Sequence, residues 1–238
     1  MNSGETEGVR LAKRVAALAG CSRREAELLI ENGAVRVDGA VTLLPQSRVL
    51  PAQEVSIEPG ARAVAVPPVT LLLHKPTGLR LEDAAALLVP ANFHATTGHG
   101  AEKTLLPRHL SGQRCMTPLD GEASGLLIFT QEWRVERKLQ EDAAYIEHEV
   151  MVDVSGPVTP QQLAQLDRTP ARVSIGRQSA TSTGLRFAIK GLVPGQIAKM
   201  CERAGLAIEA MKRIRVGRVP LAGLPAGQWR HLRPDERV

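Results

Sequence analysis

The sequence predicts an α+β protein: a small helix–helix–hairpin unit, then a larger domain built on a largely antiparallel mixed sheet flanked by helices. Three observations predict it. Two short amphipathic segments near the start run into an alternating V-R-V-D-G. Beyond residue 69 several strand-like runs follow one another with few helices between them. The regular βαβ alternation and Gly-rich phosphate loop of a doubly wound fold are missing.

The elements follow in order. Leu11, Val15 and Leu18 stand at helical spacing, with Arg10, Lys13 and Arg14 on the other side, which predicts a helix over Val9–Ala19 closed by Gly20. S-R-R-E begins a second helix, where Ser22 and Glu25 can form a capping box. Ala26, Leu29 and Ile30 give its apolar face, and Asn32-Gly33 ends it. Val35 and Val37 alternate along a strand that turns at Asp38-Gly39. The first domain is thus 9–59, after a disordered N-terminus over 1–8. Residues 60–68, G-A-R-A-V-A-V-P-P, read as a linker because small residues lead to a double proline.

The second domain, 69–238, opens with a buried strand, Val69–Leu73, running into H-K-P-T-G. Leu81–Leu88 is read as helical, and His94, His99 and His109 fall in a Gly- and Thr-rich loop without metal-ligand spacing. Trp133–Gln140 reads as a helix, His148–Val154 as a strand, and a further helix starts at Thr159. Val173–Ile189 reads as strand segments around Gly176 and Gly184. Val193–Gln196 is a type II turn leading into a helix over Gln196–Ala204, which buries Ile197, Met200 and Cys201 and stops at Gly205.

Composition narrows the function classes. The 238 residues carry 43% hydrophobic and 23% charged residues, as a soluble globular protein does. No apolar run approaches the length of a bilayer span, and the polar, acidic start is unlike a secretion signal. Three scattered cysteines, Cys21, Cys115 and Cys201, point to a reducing cytoplasm rather than to disulfides or a metal. The last forty residues hold nine Lys/Arg against four acids, an excess equal to the +5 of the whole chain. That suggests a polyanionic partner. With only 3% aromatics, recognition of phosphates and RNA shape fits better than base stacking along a row of rings.

One stretch raises the question of chemistry. Cys115–Thr130 reads C-M-T-P-L-D-G-E-A-S-G-L-L-I-F-T, with a lone carboxylate, Asp120, before a buried strand. Asp-Gly favours a turn because both residues tolerate positive φ, so the position alone says turn. Ser124 stands one residue out of register with a nucleophile elbow and reads as structural.

The order of the pieces says more. R-L-x-x-R-V and S-R-R-E-A at the first two helices resemble the S4 RNA-binding domain. Followed by H-K-P-T-G, L-D-G-E-A-S-G-L-L-I-F-T, Q-I-x-K-M-C-E-R-A-G and L-A-G-L-P-A-G-Q-W-R-H-L, they resemble the RsuA/RluF family of RNA pseudouridine synthases from about residue 9 to 232. That resemblance implies an S4 domain at 9–59 and a pseudouridine-synthase-like catalytic domain at 69–238. It implies an isomerase that flips one uridine out of structured RNA, ribosomal RNA ahead of transfer RNA, with an aspartate nucleophile. It implies no metal, no cofactor, no membrane and a monomer. Asp120 falls on the catalytic aspartate, and Arg10, Lys13, Arg14, Arg23 and Arg24 on RNA-contacting positions. Lys75, Gln196, Lys199 and Arg203 are candidates for the pocket.

The match also departs from the family. Pro118 stands where an arginine precedes the aspartate, and Val150 and His148 replace a tyrosine and a lysine. Gly195 and Ala198 replace two arginines of the R-Q-I-R-R run. The chain's one tyrosine, Tyr145, lies five residues from its expected place. Two readings stay open: a synthase acting through Asp120, and an RNA-binding protein that keeps the synthase fold without catalysis.

Overall fold

The computed structural model describes residues 8–95, 106–168 and 170–238. Residues 1–7 of the expected disordered N-terminus, and His99, lie outside the described residues. Gly8 is buried: a Cβ there would stand 2.8 Å from the Val49 carbonyl oxygen. The chain divides into two compact units at Pro68/Val69.

In the first unit β1 (Val9–Arg10) leads into α1 (Leu11–Ala19), which buries Leu11, Ala12 and Val15 and ends at Gly20 in the left-handed region, φ 63°. Leu18, expected on this face, is 57% exposed. In that last turn only Ala16 packs on the small core. The capping box forms as read: the Glu25 N–H donates to Ser22 Oγ at 3.2 Å, and the Ser22 N–H to Glu25 Oε2 at 2.8 Å. It starts α2 (Arg23–Glu31), whose Ala26, Leu29 and Ile30 are buried. The hairpin of β2 (Val35–Val37) and β3 (Ala40–Val41) turns at Asp38 and Gly39, both at positive φ. β4 (Arg48–Val49) pairs with β1, and β5 (Val55–Ile57) with β2.

Ala61 and Ala63 pack on this core, and Asn32 Nδ2 donates to the Val64 carbonyl at 2.8 Å, so much of 60–68 lies against the first unit. Residues 106–112 also group with it, although the sequence assigns them to the second domain. Their short α3 (Pro107–Leu110) is tied by Arg108 to Glu31 at 2.7 Å.

Among the described residues, the second unit is built on a nine-stranded sheet. Its strands are β6 (Thr70–Lys75), β7 (Arg114–Cys115), β8 (Ser124–Thr130), β9 (Glu147–Ser155), β10 (Ala171–Gln178), β11 (Ser182–Lys190), β12 (Ile208–Val216), β13 (Val219–Pro220) and β14 (Trp229–His231). The order is β10-β11-β9-β12-β8-β6-β14, with β7 on β8 and β13 on β12. Every pairing of these strands is antiparallel except β8 with β12, so the mixed, largely antiparallel sheet is as expected. L-L-I-F in β8 and L-L-L in β6 read as continuous apolar runs because both strands are buried on both faces. The helices of this unit are α4 (Trp133–Glu141), α5 (Pro160–Leu166) and α6 (Gln196–Arg203), with α5 capped by Thr159. α6 buries Ile197 and Cys201, while Met200 is half-buried.

Two local expectations change. Leu81–Leu87 is a 3₁₀ helix. The β10–β11 turn lies at Ser179–Thr181, and the two glycines sit inside the strands. Gly176 marks a bulge between Ile175 and Arg177, and Gly184 lets the Arg177 side chain lie across it, where a Cβ would meet Arg177 Cγ at 2.9 Å.

Candidate active site

The second unit brings three distant segments around Asp120. The first is its own loop. The Ala123 N–H donates to the Asp120 carbonyl at 3.1 Å, closing a tight turn with neither Asp120 nor Gly121 at positive φ. The turn is therefore real but does not use the freedom the Asp-Gly pair offers. At its end Gly125 adopts φ 120°, and a Cβ there would fall 2.3 Å from the Arg213 carbonyl oxygen. Only glycine lets β8 run this close to β12.

The second segment is H-K-P-T-G. Lys75 at the end of β6 is fully buried and donates to the carbonyls of Pro76 (3.0 Å), Leu79 (2.7 Å) and Gly121 (2.8 Å). Burial pushes its ammonium below the usual lysine range, opposed by the charges of Glu122 and Asp120. The Gly78 N–H also donates to the Gly121 carbonyl, at 3.0 Å.

The third segment comes from beyond residue 190. The backbone N–H of Gly195 donates to Asp120 Oδ2 at 2.9 Å. Gly195 has φ 77° and ψ −9°, the values that a type II turn demands, and it stands at the N-terminus of α6, whose dipole favours a carboxylate. Beneath the loop lies Arg213 of β12. Its guanidinium donates to the carbonyls of Pro118 (3.1 Å), Leu126 (2.8 Å) and Thr117. Complete burial brings its pKa down to about 10, against the opposing pull of Cys115 and Asp120. The half-buried Asp120 thus sits with two buried cations in electrostatic reach.

Beside this loop lies a cavity of about 360 Å³, walled by Thr117, Pro118, Val193 and Pro194 and by Leu139 and His148.

Of the sequence-predicted residues, Lys75 is brought to Asp120. Gln196 is not: its side chain accepts from the Val193 N–H at 3.2 Å and closes its own turn. Lys199 and Arg203 are exposed, one and two turns along α6 from Gly195, so α6 carries Arg203 roughly 12 Å from its start. Tyr145 is 76% exposed and precedes β9 rather than lying in it.

In the first unit Arg10, Lys13 and Arg23 are exposed, and Arg24 pairs with Glu27 at 3.2 Å. Arg14 is turned inward onto the carbonyls of Leu50, Pro51 and Gln53, so its guanidinium is spent on the fold. The basic C-terminal stretch is also partly consumed. Arg215 pairs with Glu147 and Glu149, and Arg230 with Glu236.

Sequence reasoning missed Arg213 as part of this site. Arg213 reads as one more cation of a basic tail. Its signal would have been the partner glycine, Gly125, whose missing side chain makes room for the β12 backbone.

Comparison with known proteins fits this geometry. The S4 domain family matches residues 9–55. The dual-specificity RNA pseudouridine synthase RluF of Escherichia coli (strain K12) is 27% identical over 237 residues, covering 97% of this chain and 77% of RluF. The chain is thus similar to RluF-type synthases over nearly its whole length. An uncharacterized RNA pseudouridine synthase of Mycobacterium tuberculosis (strain ATCC 25618 / H37Rv) is 26% identical over 252 residues, covering 98% and 93% of the two chains. A solved pseudouridylate synthase shares the fold, with a TM-score of 0.55 at 18% identity over 94% of this chain and 96% of that one. Both units are thus accounted for: S4 first, then the synthase fold.

Proposed function

We propose that the chain is an RNA pseudouridine synthase that isomerises a uridine in structured RNA with Asp120 as the nucleophile. The observation that carries this is the anchoring of Asp120. One carboxylate oxygen is held by the Gly195 N–H, and Lys75 and Arg213 lie within electrostatic reach. A carboxylate held in a fixed orientation is what covalent attack at a sugar carbon needs. Chemistry on a paired base requires its extrusion into a pocket, and the cavity beside Pro118 and Pro194 offers one. In the isomerisation the sugar–N1 bond breaks, a sugar–C5 bond forms, the C5 proton leaves and N1 gains one. The electron count closes without an oxidant or reductant: Asp120 takes the place of N1 on the sugar while the base turns, and is released when the sugar–C5 bond forms.

The S4 unit supplies Arg10, Lys13 and Arg23 as exposed cations for phosphates. Ribosomal RNA is the first substrate to test and transfer RNA the second. A monomer in the cytoplasm suits such a role. No helix among the described residues is long and apolar enough to cross a membrane.

A second reading, RNA binding without catalysis, is favoured by Pro118, which brings no cation to the site, and by the fully buried Val150 in place of a tyrosine. Tritium release from RNA labelled at C5 of uridine and transcribed without modification decides between them. Wild type releases label and Asp120→Asn does not; no release from ribosomal or transfer RNA by wild type supports the second reading.

A further inference from the structure

An aromatic content of 3% excludes a long row of rings, yet the few rings are unevenly placed. Of the six aromatic residues, Phe129, Phe187 and Trp229 are buried, and Phe93 packs on Trp229 with ring centroids 4.9 Å apart. The other two, Trp133 and Tyr145, are 61% and 76% exposed. They flank one helix. Trp133 opens α4, and Tyr145 follows its end, where its N–H donates to the Asp142 carbonyl at 2.8 Å. Arg134 steadies the indole, its guanidinium carbon 5.4 Å from the ring centroid. Trp is on average a highly buried residue, so two large rings left in water around one helix ask for a partner with an apolar face.

The charge beside the rings says which partner. Tyr145 and Arg134 both line an open basin of about 1100 Å³. Arg134 and Lys138 stand one turn apart on α4, and Arg218 joins them from the β12–β13 turn. These three cations are exposed and have no carboxylate partner among the described residues. The acids of the basin are largely answered from within: Arg215 pairs with Glu147, and Arg230 and Arg233 with Glu236. Positive charge is left in excess there, Arg134, Lys138 and Arg218 against Glu132 and Asp142. Exposed rings beside unpaired Lys and Arg are the composition of a single-strand surface, where bases stack and phosphates are neutralised. A duplex keeps its base faces stacked inside, and an apolar protein surface would leave the cations unanswered.

We propose that α4 and its basin are a second RNA-binding surface, which takes an unpaired segment with one base on Trp133 and another on Tyr145. Arg134, Lys138 and Arg218 meet its phosphates. The inference stands whether or not Asp120 is catalytic, because both readings have RNA as partner. α4 sets its ends about 12 Å apart, so a segment of about four or five nucleotides, at about 3.4 Å per stacked base, touches both rings.

The test uses the full chain and a fluorescein-labelled single-stranded oligouridylate of about ten nucleotides, with affinity read by anisotropy. Trp133→Leu and Tyr145→Leu each weaken binding about tenfold, the scale of one lost base stack, while Trp133→Phe stays within about threefold of wild type. Lys138→Gln lowers the slope of log affinity against log salt by about 0.7. Both rings are exposed, so urea unfolding of the leucine variants matches wild type. Trp229 is fully buried, so tryptophan emission reports Trp133: unlabelled oligouridylate quenches it, and a blunt RNA duplex does not. Leucine variants that bind within about twofold of wild type, or an oligonucleotide that binds without moving the emission, overturn the proposal. So does a wild type that holds the duplex and ignores the single strand, or that binds neither, which gives the surface to a protein partner instead.

Discussion

The Gly195 N–H and Asp120 Oδ2 meet at 2.9 Å across 75 residues of chain. The bond fixes a carboxylate that would otherwise rotate freely above its turn. It depends on backbone geometry alone, because Gly195 reaches it at φ 77°.

Gly195→Ala therefore strains the turn by about 1–2 kcal/mol, since a Cβ disfavours the left-handed region. Relief of that strain swings the N–H away from Asp120. The expected outcome is a fall of about tenfold in the rate of tritium release with RNA affinity unchanged, read by filter binding alongside the assay.

Arg213 holds the same loop from beneath. Arg213→Met leaves the carbonyls of Thr117, Pro118 and Leu126 buried without donors, and urea unfolding should show a loss of about 3–5 kcal/mol. Arg213→Lys keeps the charge but cannot span three carbonyls from one planar fork. That variant should fold and lose about 10²-fold in rate, as expected when a reacting group is misplaced by an ångström.

The buried neutral His148 sets an acid limit. Its folded pKa of about 3 lies below the unfolded value near 6.5, so between these the unfolded chain binds a proton that the folded one does not. Stability should fall as pH drops through that window, by about 2 kcal/mol between pH 7 and pH 5 from this group. Chemical denaturation at the two pH values checks it, and His148→Gln should flatten the difference.

The cations of the first unit should separate into two kinds. Neutralising Arg10, Lys13 and Arg23 should weaken RNA binding and lower the slope of log affinity against log salt by about 0.7–0.9 for each phosphate left without its cation. Arg14→Ala should instead lower the melting temperature of this unit, because it frees the carbonyls of Leu50, Pro51 and Gln53. The reverse pattern would refute the division.

Local signals were legible in the sequence and long-range ones were not. The Ser22–Glu25 box, the Asp38-Gly39 hairpin and the type II turn at Gly195 involve residues within three or four of each other, so spacing alone specifies them. Leu18 matched the helical period yet is exposed, because periodicity does not say how far a small core extends. Arg14 and Arg213 looked like surface cations, since their carbonyl partners lie 36 to 96 residues away. Asp120 and Lys75 were found through their neighbours in sequence, but the Gly195 N–H and the Arg213 guanidinium that fix the site lie 75 and 93 residues beyond Asp120 and show themselves only in the fold.

The pairing of β8 with β12 also sets a timetable. The carboxylate is anchored by Gly195, and its loop by Arg213, and both lie far downstream of Asp120. During synthesis the S4 unit can fold while Asp120 is still on an unanchored segment, because domains form as units from the N-terminal side. The ability to grip RNA therefore arises before the ability to alter it, and a nascent chain is a binder first. Closing the β8–β12 pairing joins Ser124 to Lys212 and belongs to the slow, non-local part of folding. Competence of the candidate nucleophile is thus a late event in the life of each molecule, switched on by the arrival of its C-terminal third.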